Sequence, residues 1–318
     1  MTVFALILNY KTKEETLSCI DSIKKCNLQD SVTLKIVIID NASNDGIERA
    51  LSKVHPDVIF LQTGSNLGYT GGNNVGIQWV LETNHDELAK KKDETLVLIL
   101  NNDTTFHQQF IVELIRGYKR HPKAGIISPK IYFDPNSLPK KIYNKNREEI
   151  SKYDNTKIIW SAGGKIDWNN IYGSTRGVDE CDQGQYDEET QIEFASGTAL
   201  LMPLNVLKQI KSFDNNYFMY YEDVDLSLKV KKNGYQIWYI PKAIMWHKNA
   251  TSSGMASPLQ DYFITRNRLY FGMKHASLRA KFALLREALR FRADAHKWHG
   301  VKDFFTLQWG KGTFIKNS

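Results

Sequence analysis

Residues 95–103 read TLVLILNND, six residues typical of a strand followed by three polar ones. A short continuous apolar run with a polar end indicates a strand buried on both faces of a parallel sheet. Two further runs of this kind, VFALILN (3–9) and LKIVIID (34–40), precede it, and segments with apolar residues at helical spacing separate them. The alternation predicts an α/β fold with an open, mostly parallel sheet and flanking helices.

The alternation of predicted strands and helices is less regular in the second half of the chain. Residues 134–158 are polar and rich in lysine and predict a long loop, and residues 84–94 predict a solvated turn. Regular elements are expected again at 194–203, 204–211, 222–233 and 235–241.

The composition excludes several classes of protein. The 318 residues are 42% hydrophobic and 12% aromatic, with 20 glycines and 8 prolines, which excludes fibrous and disordered chains. Three cysteines without a CxxC motif do not predict a disulfide scaffold or a zinc ribbon, and they favour a cytoplasmic protein. No basic segment precedes the first apolar run, so no signal peptide is expected, and no stretch approaches the ~20 apolar residues of a membrane-spanning helix.

The net charge of +7 is concentrated at the end of the chain. Residues 274–318 hold ten Lys/Arg and three Asp/Glu, whereas residues 1–273 hold equal numbers of each sign. A neutral main body does not favour binding to nucleic acid.

An apolar and a basic stripe lie side by side on the helix predicted in this tail. The stripes are Leu278, Phe282, Leu285 and Leu289, and Arg279, Arg286, Arg290 and Lys297. Two interpretations are open. Residues 276–298 either lie on an anionic membrane surface or pack on the rest of the protein with a solvated basic face.

Polar side chains follow three of the predicted strands at the point where each strand ends. They are Asn9-Tyr10, Asp40-Asn41 and Asn101-Asn102-Asp103. Ligands of open α/β sheets bind beyond the carboxyl ends of the strands, so these residues are candidates for a binding site. Asp103 either contributes to a divalent-cation site or caps the following helix.

Residues 64–76, GSNLGYTGGNNVG, form a glycine-rich connection from a strand to a helix. They match neither the dinucleotide-binding pattern nor the P-loop. Their glycines allow close approach of a ligand, and the helix that begins after Gly72 favours an anion at its N-terminus. A flexible connection without a ligand is the alternative.

Two further groups are candidates for chemistry. Glu222, Asp223 and Asp225 fall in the first turn of a helix, where the helix dipole favours acids even without a catalytic role. The aromatic run FMYY (218–221) directly before them instead favours a general base. His247 ends an apolar strand, and it is either a packed residue or the side chain that completes a metal site.

Taken together, these motifs resemble a family 2 glycosyltransferase of the GT-A fold, and in particular the bacterial rhamnosyltransferase-like enzymes that build cell-surface polysaccharides. The resemblance covers residues 3–272 and rests on the order and spacing of the whole set. Its members are LNY (8–10), IDNAS (39–43), NLGYTGGNN (66–74), LNND (100–103), SGTALLM (196–202), YYEDVDLSLK (220–229), His247 and RNRLYF (266–271).

The resemblance implies a role for individual residues. Asp223 matches the catalytic base, with Glu222 beside it, and Asp103 and His247 match ligands of Mg²⁺ or Mn²⁺. Asn101 stands where the metal motif of the family begins with Asp, which is a departure from the pattern. The implied donor-binding residues are Asn9, Tyr10, Asp40, Asn41, Asn66, Gly68, Gly71, Asn73, Asn101, Asn102, Asp103 and Arg266. The implied acceptor-binding residues are Ser196, Gly197, Tyr221, Trp246 and Asn267.

The activity implied is an inverting, metal-dependent transfer of a sugar, with rhamnose favoured. The donor would be dTDP-rhamnose or a UDP-sugar, and the acceptor a hydroxyl of a glycan or lipid-linked glycan in capsule, O-antigen or other cell-wall polysaccharide synthesis. A nucleotide-sugar carries its own good leaving group, so one carboxylate base suffices. The expected location is the cytoplasm, at the inner face of the membrane.

The resemblance also implies how the chain is divided. Residues 1–272 would form the catalytic domain, with a nucleotide-binding half at about 1–130 and an acceptor-binding half at about 131–272. Residues 273–318 would form the basic helical tail.

Two other functions stay open. A sugar nucleotidyltransferase would require a glycine-rich basic turn after the first strand, where this chain has NYKTKEE (9–15). A carbohydrate-binding protein of the same fold without catalysis is the second, and the intact Asp103, Asp223 and His247 argue against it.

Overall fold

The structure is a computed structural model, and it describes residues 1–84, 95–137, 157–248 and 257–316. Most of the two predicted polar segments, 84–94 and 134–158, lies outside the described residues. The strands are β1 (Thr2–Asn9), β2 (Thr33–Asp40), β3 (Ile59–Gln62), β4 (Thr95–Asn101), β5 (Thr104–Phe106), β6 (Ala124–Phe133), β7 (Ile159–Ser161), β8 (Gly164–Asp167), β9 (Tyr172–Thr175), β10 (Thr190–Gln191), β11 (Ala199–Pro203) and β12 (Gln236–His247).

A mixed, mostly parallel sheet organises the molecule. Its strand order is β10-β12-β6-β11-β4-β1-β2-β3, with β5 added to β12 and β7 added to β6. Strands β1 to β4 and the pair β6 and β12 are parallel, and β11 runs antiparallel between β4 and β6. The carboxyl ends of β1, β2, β4 and β12 therefore meet at one edge, together with the amino end of β11. The predicted open α/β sheet is confirmed.

Helices cover both faces of this sheet. They are α1 (Lys13–Lys24), α2 (Ile47–Val54), α3 (Gly68–Thr83), α4 (Phe110–Arg120), α5 (Leu204–Ile210), α6 (Glu222–Lys232), α7 (Pro258–His275), α8 (Leu278–Ala288) and α9 (Ala295–Phe305). Alternate residues of the strands face opposite layers, as the two-residue period of a strand requires. In β4, for example, Leu96 and Leu98 pack under α1 and α4, whereas Val97 and Ile99 pack under α3 and α6.

The segment predicted as regular at 194–203 forms a strand only from Ala199. Ser196 and Thr198 form a turn instead, because the Ser196 hydroxyl accepts the Thr198 backbone N–H at 3.2 Å and donates to the Thr198 hydroxyl. The backbone N–H of Asn101 donates to the Thr198 carbonyl at 3.0 Å, which holds this turn against the tip of β4. A side-chain hydrogen bond of this kind competes with strand pairing.

The C-terminal residues pack closely on the rest of the chain. The boundary predicted at 272/273 falls inside α7, and the one predicted near 130 falls inside β6. Helix α9 packs across α7 so closely that a Cβ at Gly300 would lie 2.5 Å from the Tyr262 carbonyl oxygen. Within the described residues, no helix is both long and apolar enough to cross a membrane.

Candidate active site

Asp40, the last residue of β2, lies at the centre of a hydrogen-bonded group on the edge of the sheet. The Asn9 amide donates to its Oδ1 at 2.8 Å, and the Gln62 amide donates to its Oδ2 at 2.8 Å. Asp40 and Asn9 are paired residues at the ends of adjacent parallel strands, so the fold itself brings them together. This buried carboxylate is held in one orientation beside the pocket that the strand tips form.

The same group of bonds involves the side chains of Asn9 and Asn102. The Asn9 side chain is fully buried, and it also accepts the Thr16 hydroxyl at 2.8 Å. The Asn102 amide donates to the hydroxyls of Thr12 at 2.6 Å and Thr16 at 2.8 Å. Both amides are thus used to tie the strand tips to α1 and to each other. These bonds give both residues a role in orienting the strand tips, and their predicted contacts with a donor stay predictions.

The glycine-rich connection is shaped by Asn41 and Asn66. The Asn41 amide donates to Asn66 Oδ1 at 3.0 Å and to the Gly68 carbonyl at 3.1 Å, and Asn41 Oδ1 accepts the backbone N–H of Leu67 at 2.9 Å. Gly68 has a φ of +70°, and a Cβ there would lie 2.5 Å from the ring of Phe218. Only glycine fits this position.

The remaining predicted residues of this connection lie in α3. The Asn73 amide donates to the Tyr69 carbonyl at 2.9 Å, while Asn73 Oδ1 is buried and has no hydrogen-bond partner in the part of the chain that the structure describes. A Cβ at Gly71 would lie 2.6 Å from that of Leu67. Gly71 and Asn66 also line an open groove of about 670 Å³, whose wall includes Lys311 of the C-terminal segment. The acids described below do not line this groove.

Asp103 and His247 meet at the same edge of the sheet. Asp103 follows β4, His247 ends β12, and His247 Nε2 lies 3.1 Å from Asp103 Oδ1. The pairing of β12 with β5, in which His247 faces Thr104, fixes this contact. The ring of Trp160 packs edge-on against the imidazole with centroids 4.9 Å apart. The structure therefore brings together the two side chains that the resemblance implies as metal ligands.

The chemistry of this pair fits a divalent cation that is shared with a substrate. His247 Nδ1 is buried without a hydrogen-bond partner among the described residues, so the imidazole is not fully satisfied by protein. No group of three or more His, Cys, Asp or Glu side chains within the described ranges is placed to hold a metal. The protein would supply two ligands, and Mg²⁺ commonly takes the others from phosphate oxygens and water.

Asp223 lies in the first turn of α6, beside the 196–198 turn. Its Oδ2 accepts the backbone N–H of Gly197 at 2.9 Å, and its Oδ1 accepts that of Val224 at 2.8 Å. Burial raises the pKa of the Asp223 carboxyl, and these backbone donors offset part of that rise. The side chain is half-buried, so the carboxylate is both oriented and accessible. These are properties of a general base.

Glu222 differs from Asp223 in its burial and in its hydrogen bonding. Its side chain is buried, and Oε2 has no hydrogen-bond partner in the described ranges. Burial and then the nearby charge of Asp223 raise the pKa of Glu222 well above its ordinary value. Burial without a partner for Oε2 therefore favours the protonated form of Glu222.

The aromatic run before these acids has an unusual backbone. Phe218, Tyr220 and Tyr221 have φ angles of 67°, 66° and 69°, in the left-handed region that side chains with a Cβ avoid. Such strain costs about 1–3 kcal/mol per residue and persists only where the surroundings impose it. The loop that carries Glu222 and Asp223 is thus held in a conformation it would not adopt alone.

Arg266 and Asn267 impose that conformation. The Asn267 amide donates to the carbonyls of Tyr217, Met219 and Tyr220 at 2.9, 2.7 and 2.9 Å. Arg266 donates from Nη2 to the Tyr217 carbonyl at 3.0 Å and from Nη1 to the Gln308 carbonyl at 3.1 Å, and both side chains are completely buried. Both side chains are thus used on backbone carbonyls, and the implied contacts of Arg266 with donor phosphate and of Asn267 with acceptor stay predictions.

The remaining residues predicted to bind donor or acceptor differ in how exposed their side chains are. The Tyr221 hydroxyl donates to the Ile171 carbonyl at 2.9 Å, so Tyr221 contacts the protein rather than a ligand. Tyr10, Asn101 and Trp246 are half-buried at the edge of the sheet, and their predicted contacts stay predictions.

Tyr69 is a site residue that sequence reasoning missed. Its hydroxyl donates to the carbonyl of Gly197, the residue whose N–H holds Asp223. Burial and then the charges of Glu222 and Asp223 raise the pKa of Tyr69 well above its ordinary value. The residue stands inside the quoted motif NLGYTGGNN, so its position was visible, but nothing in its spacing indicates that it reaches the turn at 196–198.

Comparisons with known proteins agree with this geometry. The family model "Glycosyltransferase like family 2" matches residues 2–272. The N-acetylglucosaminyl-diphospho-decaprenol L-rhamnosyltransferase of Mycobacterium tuberculosis is 29% identical over 70% of this chain and 68% of its own. The low-salt glycan biosynthesis hexosyltransferase Agl10 of Haloferax volcanii is 26% identical over 83% and 73%. Rhamnosyltransferase WbbL of Escherichia coli is 21% identical over 73% and 86%.

Two solved structures share the fold. The mannosyltransferase PcManGT of Pyrobaculum calidifontis, in complex with GDP-Man and Mn²⁺, has a TM-score of 0.54 at 12% identity and covers 96% of this chain and 73% of its own. GalNAc-T7 with UDP, GalNAc and Mn²⁺ has a TM-score of 0.56 at 13% identity and covers 93% and 58%.

Proposed function

This chain belongs to the glycosyltransferase-like family 2, with the GT-A fold, and we propose that it transfers a sugar with inversion from a nucleoside diphosphate to an acceptor hydroxyl. Asp223 takes the proton of that hydroxyl, and the acceptor oxygen forms a bond to the anomeric carbon. The bond from that carbon to the diphosphate oxygen breaks, and the nucleoside diphosphate leaves with the electron pair. One base suffices because the leaving group needs no protonation.

The position of Asp223 carries this proposal. Its carboxylate is held by two backbone N–H groups, one from α6 and one from the turn at Gly197, which itself lies against the tip of β4. The base is therefore fixed relative to the strand tips that surround the proposed donor site. Fixed orientation of the reacting groups supplies much of the rate enhancement in a two-substrate reaction.

Asp40, Asn41 and Asn66 are proposed to shape the nucleotide pocket, and Asp103 and His247 to hold a divalent cation on the diphosphate. The cation would neutralise the charge that develops on the leaving group. The Mn²⁺ in the two similar solved structures supports this proposal, as does the 3.1 Å separation of His247 Nε2 and Asp103 Oδ1. Asn101 in place of an acid leaves the site with one carboxylate, so we propose a weak cation site that forms fully with the donor.

Rhamnose is the proposed sugar, and a lipid-linked glycan is the proposed acceptor. The support is that two relatives bear the name rhamnosyltransferase and that one of them acts on N-acetylglucosaminyl-diphospho-decaprenol. We propose on the same support that the reaction belongs to cell-surface polysaccharide synthesis and takes place at the inner face of the membrane.

Donor hydrolysis by the purified protein tests this proposal. The donors are dTDP-rhamnose, UDP-glucose, UDP-galactose, UDP-N-acetylglucosamine and UDP-galactofuranose, each with Mg²⁺, Mn²⁺ or EDTA. We expect slow release of diphosphate from dTDP-rhamnose that EDTA and Asp103→Ala abolish. Transfer to a synthetic N-acetylglucosaminyl-diphospho-lipid should then fail in Asp223→Asn, while donor binding measured by calorimetry persists.

Each part of the proposal has its own contradicting result. Full transfer activity of Asp223→Asn would remove the base assignment. Turnover that persists in EDTA would contradict the proposed role of a divalent cation. Binding of a donor without any turnover would favour the non-catalytic carbohydrate-binding alternative.

A further inference from the structure

Helix α8 presents an apolar stripe to solvent. Leu278 is 73% exposed and Phe282 is 72% exposed, and Leu289, in the turn that follows the helix, is 50% exposed. At 100° per residue these side chains fall within about 40° of one another. Single exposed apolar residues are ordinary, but an aligned set on one helix marks an interaction surface.

A different face of α8 packs on the protein. Ala280, Leu284 and Ala288 are buried in the cluster that contains Leu269 and Phe271 of α7. The two interpretations left open by the sequence are therefore not exclusive. The helix packs through Ala280, Leu284 and Ala288, and the stripe that contains Leu278 and Phe282 stays on the outside.

Basic side chains flank the exposed stripe on both sides. Arg279, Arg286 and Arg290 lie at one border, and Lys281 lies at the other. None of these four has an acidic partner among the described residues, whereas the single acid of the helix, Glu287, pairs with Arg268 at 2.8 Å. An apolar stripe bordered by unpaired cations is the arrangement of a helix that lies in the interface of an anionic bilayer.

Exposed aromatic residues also lie on the β8–β9 hairpin, but this hairpin contacts α8 on the side away from the stripe. At 100° per residue, Glu287 and Leu284, its contacts on the helix, fall about 160° and 140° from the centre of the stripe. Trp168 and Tyr172, in the β8–β9 hairpin, are 40% and 43% exposed. Arg268 joins the hairpin to α8, because it donates to the Asn170 carbonyl and to Glu287.

We propose that this surface, the exposed stripe of α8 with the turn after it and the basic side chains beside it, binds the chain in the plane of an anionic lipid bilayer. The chemistry recognised is a negatively charged headgroup layer over acyl chains. The proposal extends the lipid-linked acceptor of the proposed function, but its test uses neither donor nor acceptor, so the two can fail separately.

The hairpin connects helix α8 to the catalytic loop. The Ile171 carbonyl at the hairpin tip accepts the Tyr221 hydroxyl at 2.9 Å, and Tyr221 directly precedes Glu222 and Asp223. Ile171 also meets Leu284 over Gly272, where a Cβ would lie 2.4 Å from Leu284 and 3.5 Å from Ile171. Helix α8, which would contact the bilayer, therefore packs beside the hairpin that is hydrogen-bonded to the base loop.

Co-sedimentation of the full chain with vesicles tests the proposal. One vesicle set contains phosphatidylglycerol and phosphatidylethanolamine, and the other contains phosphatidylcholine alone. We expect binding to the anionic set only, weakened by added salt. Arg286→Glu with Arg290→Glu should lower the partition coefficient about a hundredfold, and Phe282→Ser with Leu289→Ser about tenfold.

Lys53 and Val54 of α2 provide matched controls, since both are exposed and lie in a different helix. Lys53→Glu and Val54→Ser should leave vesicle binding unchanged, and thermal unfolding followed by circular dichroism should show that all variants are folded. Equal binding to both vesicle sets, or an equal loss in the controls, would overturn the proposal. So would a dimer in size-exclusion chromatography that Phe282→Ser converts to a monomer, because a second copy would then cover the stripe.

Discussion

Replacement of Asn267 by alanine should uncouple catalysis from donor binding. The Asn267 amide makes three buried hydrogen bonds to the carbonyls of the loop that precedes Glu222 and Asp223. The amide has two hydrogens for these three carbonyls, so at about 1 kcal/mol of net stability for each hydrogen Asn267→Ala should lose about 2 kcal/mol of unfolding free energy. Arg266 would remain as the second contact to this loop.

The size of that loss matters because the loop is strained. Three residues in the left-handed region cost about 3–9 kcal/mol together, which is comparable to what the bonds from Asn267 and Arg266 supply. Without Asn267, an unstrained conformation of the loop becomes similar in free energy to the strained one, and Asp223 moves when the loop relaxes. A displacement of about 1 Å of a catalytic group costs about a hundredfold in rate, so kcat should fall about 10- to 100-fold.

The assay separates positioning from stability. Urea unfolding gives the free energy, and kcat and KM are measured at a temperature where the variant is fully folded. The donor KM should change little, because Asp40, Asn41 and Asn66 are held by contacts of their own. Asn84→Ala is the matched control, since Asn84 is also a buried amide that donates to a carbonyl, that of Val80 in α3. A variant Asn267→Ala that loses stability but keeps its kcat would refute the reasoning.

Three further predictions concern the acids and the proposed cation. Asp223→Asn should lower kcat about 10²- to 10⁴-fold with little change in donor affinity by calorimetry, and retained transfer would contradict it. His247→Ala should raise the Mn²⁺ concentration for half-maximal donor hydrolysis at least about tenfold, and an unchanged metal titration would remove His247 from the site. The pKa of Glu222 is higher in the folded protein than in the unfolded chain, so the folded protein binds a proton more tightly at this residue. Protonated Glu222 therefore contributes fully to stability below the unfolded pKa of about 4.3. This contribution is lost as pH rises through the folded pKa. Glu222→Gln should therefore gain Tm relative to the native protein as pH rises, and a Tm difference independent of pH would contradict this.

The fold and the position of the site could be predicted from the sequence because both follow from local patterns. A continuous apolar run with a polar end, as in TLVLILNND, indicates a buried strand and its carboxyl tip at once. Parallel strands bring such tips to one edge, so the closeness of Asn9 and Asp40 required no knowledge of the tertiary structure. The paired acids Glu222 and Asp223 were equally visible, since they open a helix after a run of aromatic residues.

The direction in which a polar side chain points could not be predicted in the same way. Asn102 lies at the correct strand tip, yet its amide is drawn to Thr12 and Thr16, whose positions depend on how α1 packs on the sheet. Arg266 and Asn267 lie in a helix about 45 residues after the loop that they hold, and only tertiary contact reveals the carbonyls that they bind. The stripe of α8 was correctly identified as a face, but its exposure depended on the residues that pack on the opposite side.

The three acids of the motif EDVD (222–225) carry the same carboxyl group, but their surroundings give them different roles. Burial would raise the pKa of Asp225, but hydrogen bonds from His275 at 2.6 Å and Lys274 at 3.0 Å outweigh it and keep the pKa below its ordinary value. Asp225 is thus a permanent anion that ties α6 to α7, and its stabilising contribution is lost only as pH falls through that lowered pKa.

Among the described residues no cation pairs with Glu222 or Asp223. Burial raises the pKa of both acids, and the nearby charge of Asp223 raises that of Glu222 further. Two carboxylates this close do not ionise together easily, so the proton that remains belongs to Glu222. A neutral Glu222 leaves Asp223 free to ionise beside its two backbone donors, with a raised pKa that makes it a stronger base than an exposed aspartate. The activity should accordingly rise with pH through the ionisation of Asp223, and Glu222→Gln should preserve that rise whereas Asp223→Asn should abolish it.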